Sequence, residues 1–219
     1  MKGLLRNSFY GAKDSFIVLL IMLGSLGLGV VVSGNATLLN IFGFPCVTVF
    51  AVVALSSYRK EATTNWSKYV VASPVRRHEI IKSRYLYHTM CLAVGTALLV
   101  VVVGLAVLIH GNRFFYQPVR DPITLLCISV GIPLLLGSLF YPLATLIGID
   151  KSEVVLIISL LGSIAITAGI VWLVNISFGN NSVNDFEYFA GMAAFIGISV
   201  LLFLGSYYAS VAVNRKKEY

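Results

Sequence analysis

Six long apolar runs alternate with short polar connections along this chain of 219 residues. The runs are 16–33, 38–57, 85–109, 123–147, 154–174 and 188–213. About 20 residues of helix cross a hydrocarbon core of ~30 Å, and each run is near or above that length. A membrane β-barrel would show short segments of alternating polarity instead. The pattern therefore predicts an all-α, polytopic membrane protein with six transmembrane helices in a single domain, residues 1–219.

Composition supports an integral membrane protein. The chain is 58% hydrophobic and only 11% charged, whereas soluble proteins have about 25% charged residues. The net charge is +7. Within a lipid bilayer such an excess orients the chain and contacts anionic head groups, so no nucleic-acid partner is expected.

Lysine and arginine residues are distributed unequally between the connections. The N-terminal segment, the 58–84 loop, the 148–153 turn and the C-terminal tail together carry 14 of the 16 basic residues. The intervening connections carry the other 2, both in the 110–122 loop. By the positive-inside rule, both termini, including the tail at 214–219, and the 58–84 loop are expected to be cytoplasmic. An even number of spans agrees with this arrangement.

Residues 1–15 have the pattern of an amphipathic helix that lies in the cytoplasmic membrane interface. The apolar stripe consists of Leu5, Phe9, Ala12 and Phe16, and the basic residues beside it are Lys2, Arg6 and Lys13. Apolar residues on one face with basic residues flanking them are typical of interfacial helices. The alternative is a basic N-terminal flank with no fixed shape.

Several kinds of chemistry have no motif in this chain. There is no G-x-x-x-x-G-K-[ST] sequence, so the chain is not expected to be an ATP-hydrolysing enzyme by that route. His78-Glu79 is not part of a zinc-protease motif, because Lys82 stands where the second histidine is required. Cysteines 46, 91 and 127 are odd in number and widely spaced, which favours free thiols over disulfides or a metal site.

No ionisable side chain is predicted at the centre of the membrane. His88 is placed near the start of the third run and His110 near its end. We therefore expect no ionisable residue at mid-depth. This argues against an ion-coupled transporter, because such proteins usually bind the coupling ion through ionisable groups inside the membrane. It also leaves no Ser–His pair for an intramembrane protease. Pro133 and Pro142 are expected to kink the fourth run.

The 58–84 loop is the most densely charged segment of the chain. Ser73-Pro74 divides it, since serine is a favourable N-cap and proline a favourable first helical residue. We expect one short helix before this step, and a second helix that begins at Pro74 and continues into the third span. Trp66 and Tyr69 share a face of the first helix, which suits a protein–protein contact. The alternative is that these aromatics only anchor the loop at the bilayer interface.

The order of residues in this segment resembles the first cytoplasmic loop of type-2 ABC exporter permeases. The matching residues are Trp66, Lys68, Tyr69, Ala72, Pro74, Arg77, Glu79, Ile80, Lys82, Arg84 and Tyr85. The segment is similar, more narrowly, to that of small bacterial permeases that export or give immunity to amphipathic and antimicrobial peptides, such as phenol-soluble modulin exporters. The overall plan of six spans and cytoplasmic ends agrees with this resemblance.

The resemblance implies a mechanism and a set of partners. It implies that the loop carries a coupling helix which docks on a separate ABC ATPase subunit through Trp66, Lys68, Tyr69, Ala72, Pro74, Arg77 and Glu79. ATP and Mg²⁺ would then be cofactors of that subunit and not of this chain. A second permease chain, identical or homologous, would complete the pathway in a bacterial cell membrane, and the cargo would be an amphipathic peptide. The alternative is a non-transport scaffold or immunity protein that binds a toxin or a lipid directly.

Overall fold

The computed structural model describes residues 2–63, 77–111, 115–148, 151–178 and 184–216. These residues form six helices and no strand. The helices are α1 (Lys2–Ser33), α2 (Ala36–Thr63), α3 (Arg77–His110), α4 (Arg120–Ile147), α5 (Ser152–Phe178) and α6 (Asp185–Lys216). All six are long and apolar enough to cross a membrane. The predicted all-α fold with six membrane-spanning helices is confirmed.

Each predicted apolar run lies inside one helix, and the helices extend beyond the runs. The extension is largest at the N-terminus, where α1 begins at Lys2 and continues without a break to Ser33. The apolar part of this helix begins at Phe9. The predicted interfacial segment and the first span therefore belong to one continuous helix. The position of residues 1–15 at the membrane surface stays a prediction.

The turn between α1 and α2 shows why these helices end where they do. Gly34 has a φ of 65°, a left-handed conformation that stops a helix and that glycine adopts without a steric penalty. Asn35 then acts as the N-cap of α2, because its side-chain Oδ1 accepts a hydrogen bond of 2.9 Å from the Thr37 amide. His110, at the end of α3, donates through Nε2 to the Val31 carbonyl at 2.9 Å. The ends of α1 and α3 therefore lie on the same side of the bundle.

Contacts between helix ends define two sides of the molecule. The far side carries the α1–α2 turn, the end of α3 and the starts of α4 and α6, where Arg120 and Asp185 form an ion pair. The loop side carries the opposite helix ends, including the start of α3 at Arg77 and the end of α6. The segment at 64–76, between α2 and α3, therefore connects two helix ends on the loop side.

The far-side contact between α4 and α6 combines several weak interactions. The Arg120 guanidinium binds Asp185 through Nε at 2.6 Å and lies 5.1 Å from the centre of the Tyr188 ring. The hydroxyl groups of Thr124 and Tyr188 are also hydrogen-bonded. Because the Asp185 side chain is 76% exposed, the ion pair itself contributes only about 0–1 kcal/mol. Together, the ion pair, the cation–π contact and the hydroxyl hydrogen bond hold the start of α4 against the start of α6.

Helix α4 is the centre of the bundle. It packs against α2, α3, α5 and α6, and 56% of its apolar span is buried, against 17% for α1. Its sequence permits this because it has glycines and serines on several faces, and small residues allow membrane helices to approach closely. The hydroxyl of Ser129, which is fully buried, shares its proton between the Leu125 carbonyl at 2.6 Å and the Gly43 carbonyl of α2 at 3.0 Å. Helix α4 is therefore in contact with four other helices of the bundle.

The contact between α4 and α6 requires a glycine at position 131. A β-carbon at Gly131 would overlap the ring of Phe195, which is itself buried. Gly197, on the same helix as Phe195, has no atom within 4 Å of the corresponding position. The two glycines therefore offer a matched pair for testing the packing.

We expect Gly131→Ala to destabilise the protein and Gly197→Ala to leave its stability unchanged or slightly raised. Overpacking of a filled core costs about 1–3 kcal/mol, whereas alanine is favoured over glycine in a free helical position by about 1 kcal/mol. Thermal unfolding of both variants in detergent measures the difference. A Gly131→Ala variant as stable as Gly197→Ala would contradict this packing.

Candidate functional site

The predicted docking residues fall mostly in the segment between α2 and α3. Trp66, Lys68, Tyr69, Ala72 and Pro74 lie outside the residues that the structure describes. The predicted helix break at Ser73 lies there too. Their role as docking residues stays a prediction from the sequence.

Arg77 and Glu79 lie in the first turn of α3, where the described chain resumes. A carboxylate in this turn is favourable, because it interacts with the positive end of the helix dipole. From Arg77 the helix continues to His110 without interruption. With a rise of 1.5 Å per residue, its 34 residues span about 51 Å, well beyond a hydrocarbon core of ~30 Å. The predicted docking segment is thus followed by one rigid helix that extends through the bundle.

The first buried aromatic residue of α3 is Tyr85, whose hydroxyl contacts two serines of α6. Its Oη lies 2.8 Å from Ser206 Oγ and 3.1 Å from Ser210 Oγ. Ser206 donates its own proton to the Phe203 carbonyl. Tyr85 therefore donates to Ser206 and accepts from Ser210, so one hydroxyl forms both of its hydrogen bonds across the helix contact.

Tyr141 of α4 contacts the same part of α3. Its hydroxyl donates to the Arg84 carbonyl at 3.3 Å, and its ring centre lies 4.4 Å from that of Tyr85. Phe203 and Tyr207 of α6 complete the ring contacts, at 5.0 and 5.4 Å from Tyr85. Such aromatic pairs each contribute about 0.5–1.5 kcal/mol beyond their buried area. Three helices therefore meet at one set of aromatic side chains.

His88 lies one turn further along α3, on the same face as Tyr85. It is completely buried, and its Nε2 is 3.2 Å from the carbonyl oxygen of Pro133. The ring stacks on Phe203, with centres 5.5 Å apart and an interplanar angle of 27°. Gly137 makes room for it, because a β-carbon there would lie 2.8 Å from His88 Nε2. We call Tyr85, His88, Tyr141, Phe203 and Tyr207 the three-helix cluster.

The depth of His88 corrects one expectation from the sequence. Pro133 is the fourteenth of the 28 residues of α4, so the histidine reaches the middle of that helix. The expectation that no ionisable residue lies at mid-depth is therefore wrong. The third apolar run begins only at residue 85, which placed His88 near the start of the span, whereas the helix itself already includes Arg77. The sequence signal was the three-residue spacing of Tyr85 and His88, which places both on one helix face.

The contact with Pro133 determines where the imidazole proton lies. A carbonyl oxygen can only accept, so Nε2 must carry the hydrogen. The other ring nitrogen, Nδ1, is buried and has no hydrogen-bond partner among the described residues. Because the proton is on Nε2, the unpartnered Nδ1 is an acceptor with a lone pair and has no hydrogen to donate. The side chain is thus held by one hydrogen bond, which joins α3 to α4.

Other reactive groups in the described residues do not form a site. All three cysteines are free, with Cys46 and Cys91 buried. No three histidine, cysteine, aspartate or glutamate side chains within the described parts of the chain are grouped so that they could hold a metal ion. The polar and aromatic side chains of the described residues therefore serve mainly to join helices. The three-helix cluster has the largest number of such contacts.

Comparison with known proteins identifies one relationship. The family model described as ABC-2 family transporter protein matches residues 3–214, which is nearly the whole chain. No curated protein and no solved structure matches the chain. The match includes both the predicted docking segment and the three-helix cluster.

Proposed function

The chain belongs to the ABC-2 family of transporter proteins, so it is a permease subunit of an ABC transporter, and we propose that it exports amphipathic or antimicrobial peptides from a bacterial cell. As a member of this family it is the membrane subunit and not the ATPase, and it works with an ABC ATPase partner. The family match over residues 3–214 is the observation that carries the permease role, and the resemblance of the 58–84 loop to that of peptide exporters supports the peptide cargo. The direction of transport, the cargo and the docking surface for the ATPase are the parts of the proposal that go beyond the family.

The proposed orientation places the loop side in the cytoplasm of the cell. Support comes from charge, since 14 of the 16 lysine and arginine residues belong to the segments that connect or end helices on that side. Positive residues are retained on the cytoplasmic side during insertion. An ATPase in the cytoplasm would then bind on the side of the bundle where α1 begins, where α6 ends and where the 64–76 segment joins α2 to α3.

The proposed docking surface consists of seven of the eleven residues that match the family loop pattern. They are Trp66, Lys68, Tyr69, Ala72, Pro74, Arg77 and Glu79. Tryptophan, tyrosine and arginine are the residues that most often dominate protein–protein binding energy. The segment leads directly into α3, so a force applied there would act on a helix that is continuous to the far side.

In the proposed mechanism, two permease chains, identical or homologous, line the pathway and two ATPase subunits bind beneath them. ATP and Mg²⁺ are held by the ATPase subunits. Closure of those subunits pushes on the docking segment and displaces α3, and hydrolysis resets it. The family relationship implies the ATPase partner, and the continuity of α3 from Arg77 to His110 supports the mechanical step.

The proposed cargo fits the outer surface of the bundle. Helices α1 and α5 expose large apolar side chains, for example Val18 and Ile21 at 64% and Leu161 at 62%. An amphipathic peptide already binds in the membrane interface with its apolar face buried. It could reach such a surface sideways from the bilayer without crossing water. The surface offers apolar contact without charge selection, as expected for peptides of varied sequence.

We expect Trp66→Ala and Arg77→Ala to reduce the amount of ATPase that co-purifies with the permease and to lower its stimulated ATP hydrolysis. Loss of a central tryptophan or arginine typically costs 2 kcal/mol or more, about thirtyfold in affinity. The matched controls are Trp172→Ala, at the only other tryptophan and 63% exposed on α5, and Arg113→Ala in the far-side connection. Normal ATPase binding in both test variants would contradict the docking surface.

We expect inside-out vesicles that contain the permease and its ATPase to accumulate a fluorescent amphipathic helical peptide when ATP is added. A scrambled peptide of the same composition, which lacks the apolar face, should not accumulate. Vesicles with a hydrolysis-deficient ATPase provide the second control. Binding or protection that is equally strong without ATP hydrolysis would contradict export and favour the scaffold or immunity protein.

A further inference from the structure

The central helix α4 contains a segment whose backbone is incompletely hydrogen-bonded. Pro133 and Pro142 both lie inside the helix, and proline has no amide hydrogen to donate to the carbonyl four residues earlier. The helical hydrogen bonds to the Ser129 and Ser138 carbonyls are therefore missing. Helices bend most readily where such bonds are absent. The weakened turns are 129–133 and 138–142, so the stretch that includes residues 133–142 is the part of the central helix that deforms at the lowest cost.

Helix α3 contacts this segment at both of its ends. At one end His88 donates to the carbonyl of Pro133 itself, at 3.2 Å. At the other end Tyr141, adjacent to Pro142, donates to the Arg84 carbonyl and packs its ring 4.4 Å from Tyr85. Between the two ends, Gly137 lies directly against the histidine ring.

Helix α6 supports the same contacts from a third direction. Phe203 stacks on His88 and also lies 5.0 Å from Tyr85. Ser206 and Ser210 fix the Tyr85 hydroxyl. Both α3 side chains are therefore held in single positions by hydrogen bonds and by packing. Because Tyr85 and His88 contact α4, a displacement of α3 would also move residues 133–142 of α4.

We infer that Tyr85 and His88 are positioning residues that transmit the movement of α3 into residues 133–142 of α4. The inference rests on the proposed function, because it presupposes that an ATPase displaces α3. A buried polar side chain in the membrane raises the free energy of the folded protein unless its polar atoms are paired. The inference gives His88 a function that accounts for its presence there. Bending of α4 would then alter its contacts with α2, α5 and α6.

The inference is tested in the permease–ATPase complex by the number of fluorescent amphipathic peptides transported per ATP hydrolysed. The test variants are Tyr85→Phe, which keeps the ring and removes the hydroxyl, and His88→Leu. His88→Gln is the conservative variant, because its amide nitrogen can donate to Pro133 as imidazole Nε2 does. Ser163→Ala is the matched control, because it removes a hydrogen bond of 2.8 Å from a fully buried serine to the Leu160 carbonyl within α5, and this bond involves neither α3 nor α4.

We expect Tyr85→Phe and His88→Leu to lower the transport-to-hydrolysis ratio by about fivefold or more, the range of ordinary coupling energies. His88→Gln should restore most of the ratio, and Ser163→Ala should leave it unchanged. Thermal unfolding of each complex shows whether a loss follows from lower stability alone. Tyr85→Phe is mild enough to remain folded if His88→Leu does not.

Two results would overturn the inference. One is a normal ratio in Tyr85→Phe and in His88→Leu, and the other is an equal loss in Ser163→Ala. If the wild-type complex itself shows no ATP-driven transport, the proposed function fails and this inference fails with it. Failure in the wild type and failure confined to the variants are therefore separate outcomes.

Discussion

Hydrocarbon cannot form hydrogen bonds, and this constraint determines most of the structure. Every backbone group within the membrane must be satisfied by the protein, so all six spans are helices. The same constraint limits how an ATPase outside the membrane can move the transmembrane helices. A water-soluble ATPase cannot penetrate the bilayer, so its movement must arrive through a polar segment joined to a rigid helix. Helix α3 begins at the loop side and reaches the far side without a break.

The polar side chains of the bundle lie where helices meet. Ser129 joins α4 to α2 and Tyr85 joins α3 to α6, while His88 joins α3 to α4. Because the hydrophobic effect does not drive helices together in lipid, such hydrogen bonds and close packing determine which helices associate. The three-helix cluster brings these features together beside the two prolines of α4. The most weakly hydrogen-bonded part of the central helix is thereby connected to the helix that follows the docking segment.

The spans were predictable because length and apolarity alone specify a membrane helix. The central position of α4 was not, since its apolar run resembles the other five. The depth of His88 was also missed. Its contacts are with Pro133 and Gly137, more than 40 residues away, and a single sequence does not reveal such pairs. The docking residues present the opposite case, because Trp66 to Pro74 are recognisable by their order and the described structure does not include them.

Photo-crosslinking tests the central claim, that the ATPase binds at the segment between α2 and α3, most directly. A photoreactive phenylalanine analogue would replace Tyr69 in that segment or Tyr116, which is 99% exposed on the far side. Both substitutions exchange one aromatic ring for another, so they perturb the chain to a similar degree. The account predicts that the analogue at position 69 forms a covalent product with the ATPase subunit and that the analogue at position 116 does not. A product from position 116, or none from position 69 in an intact complex, would contradict it.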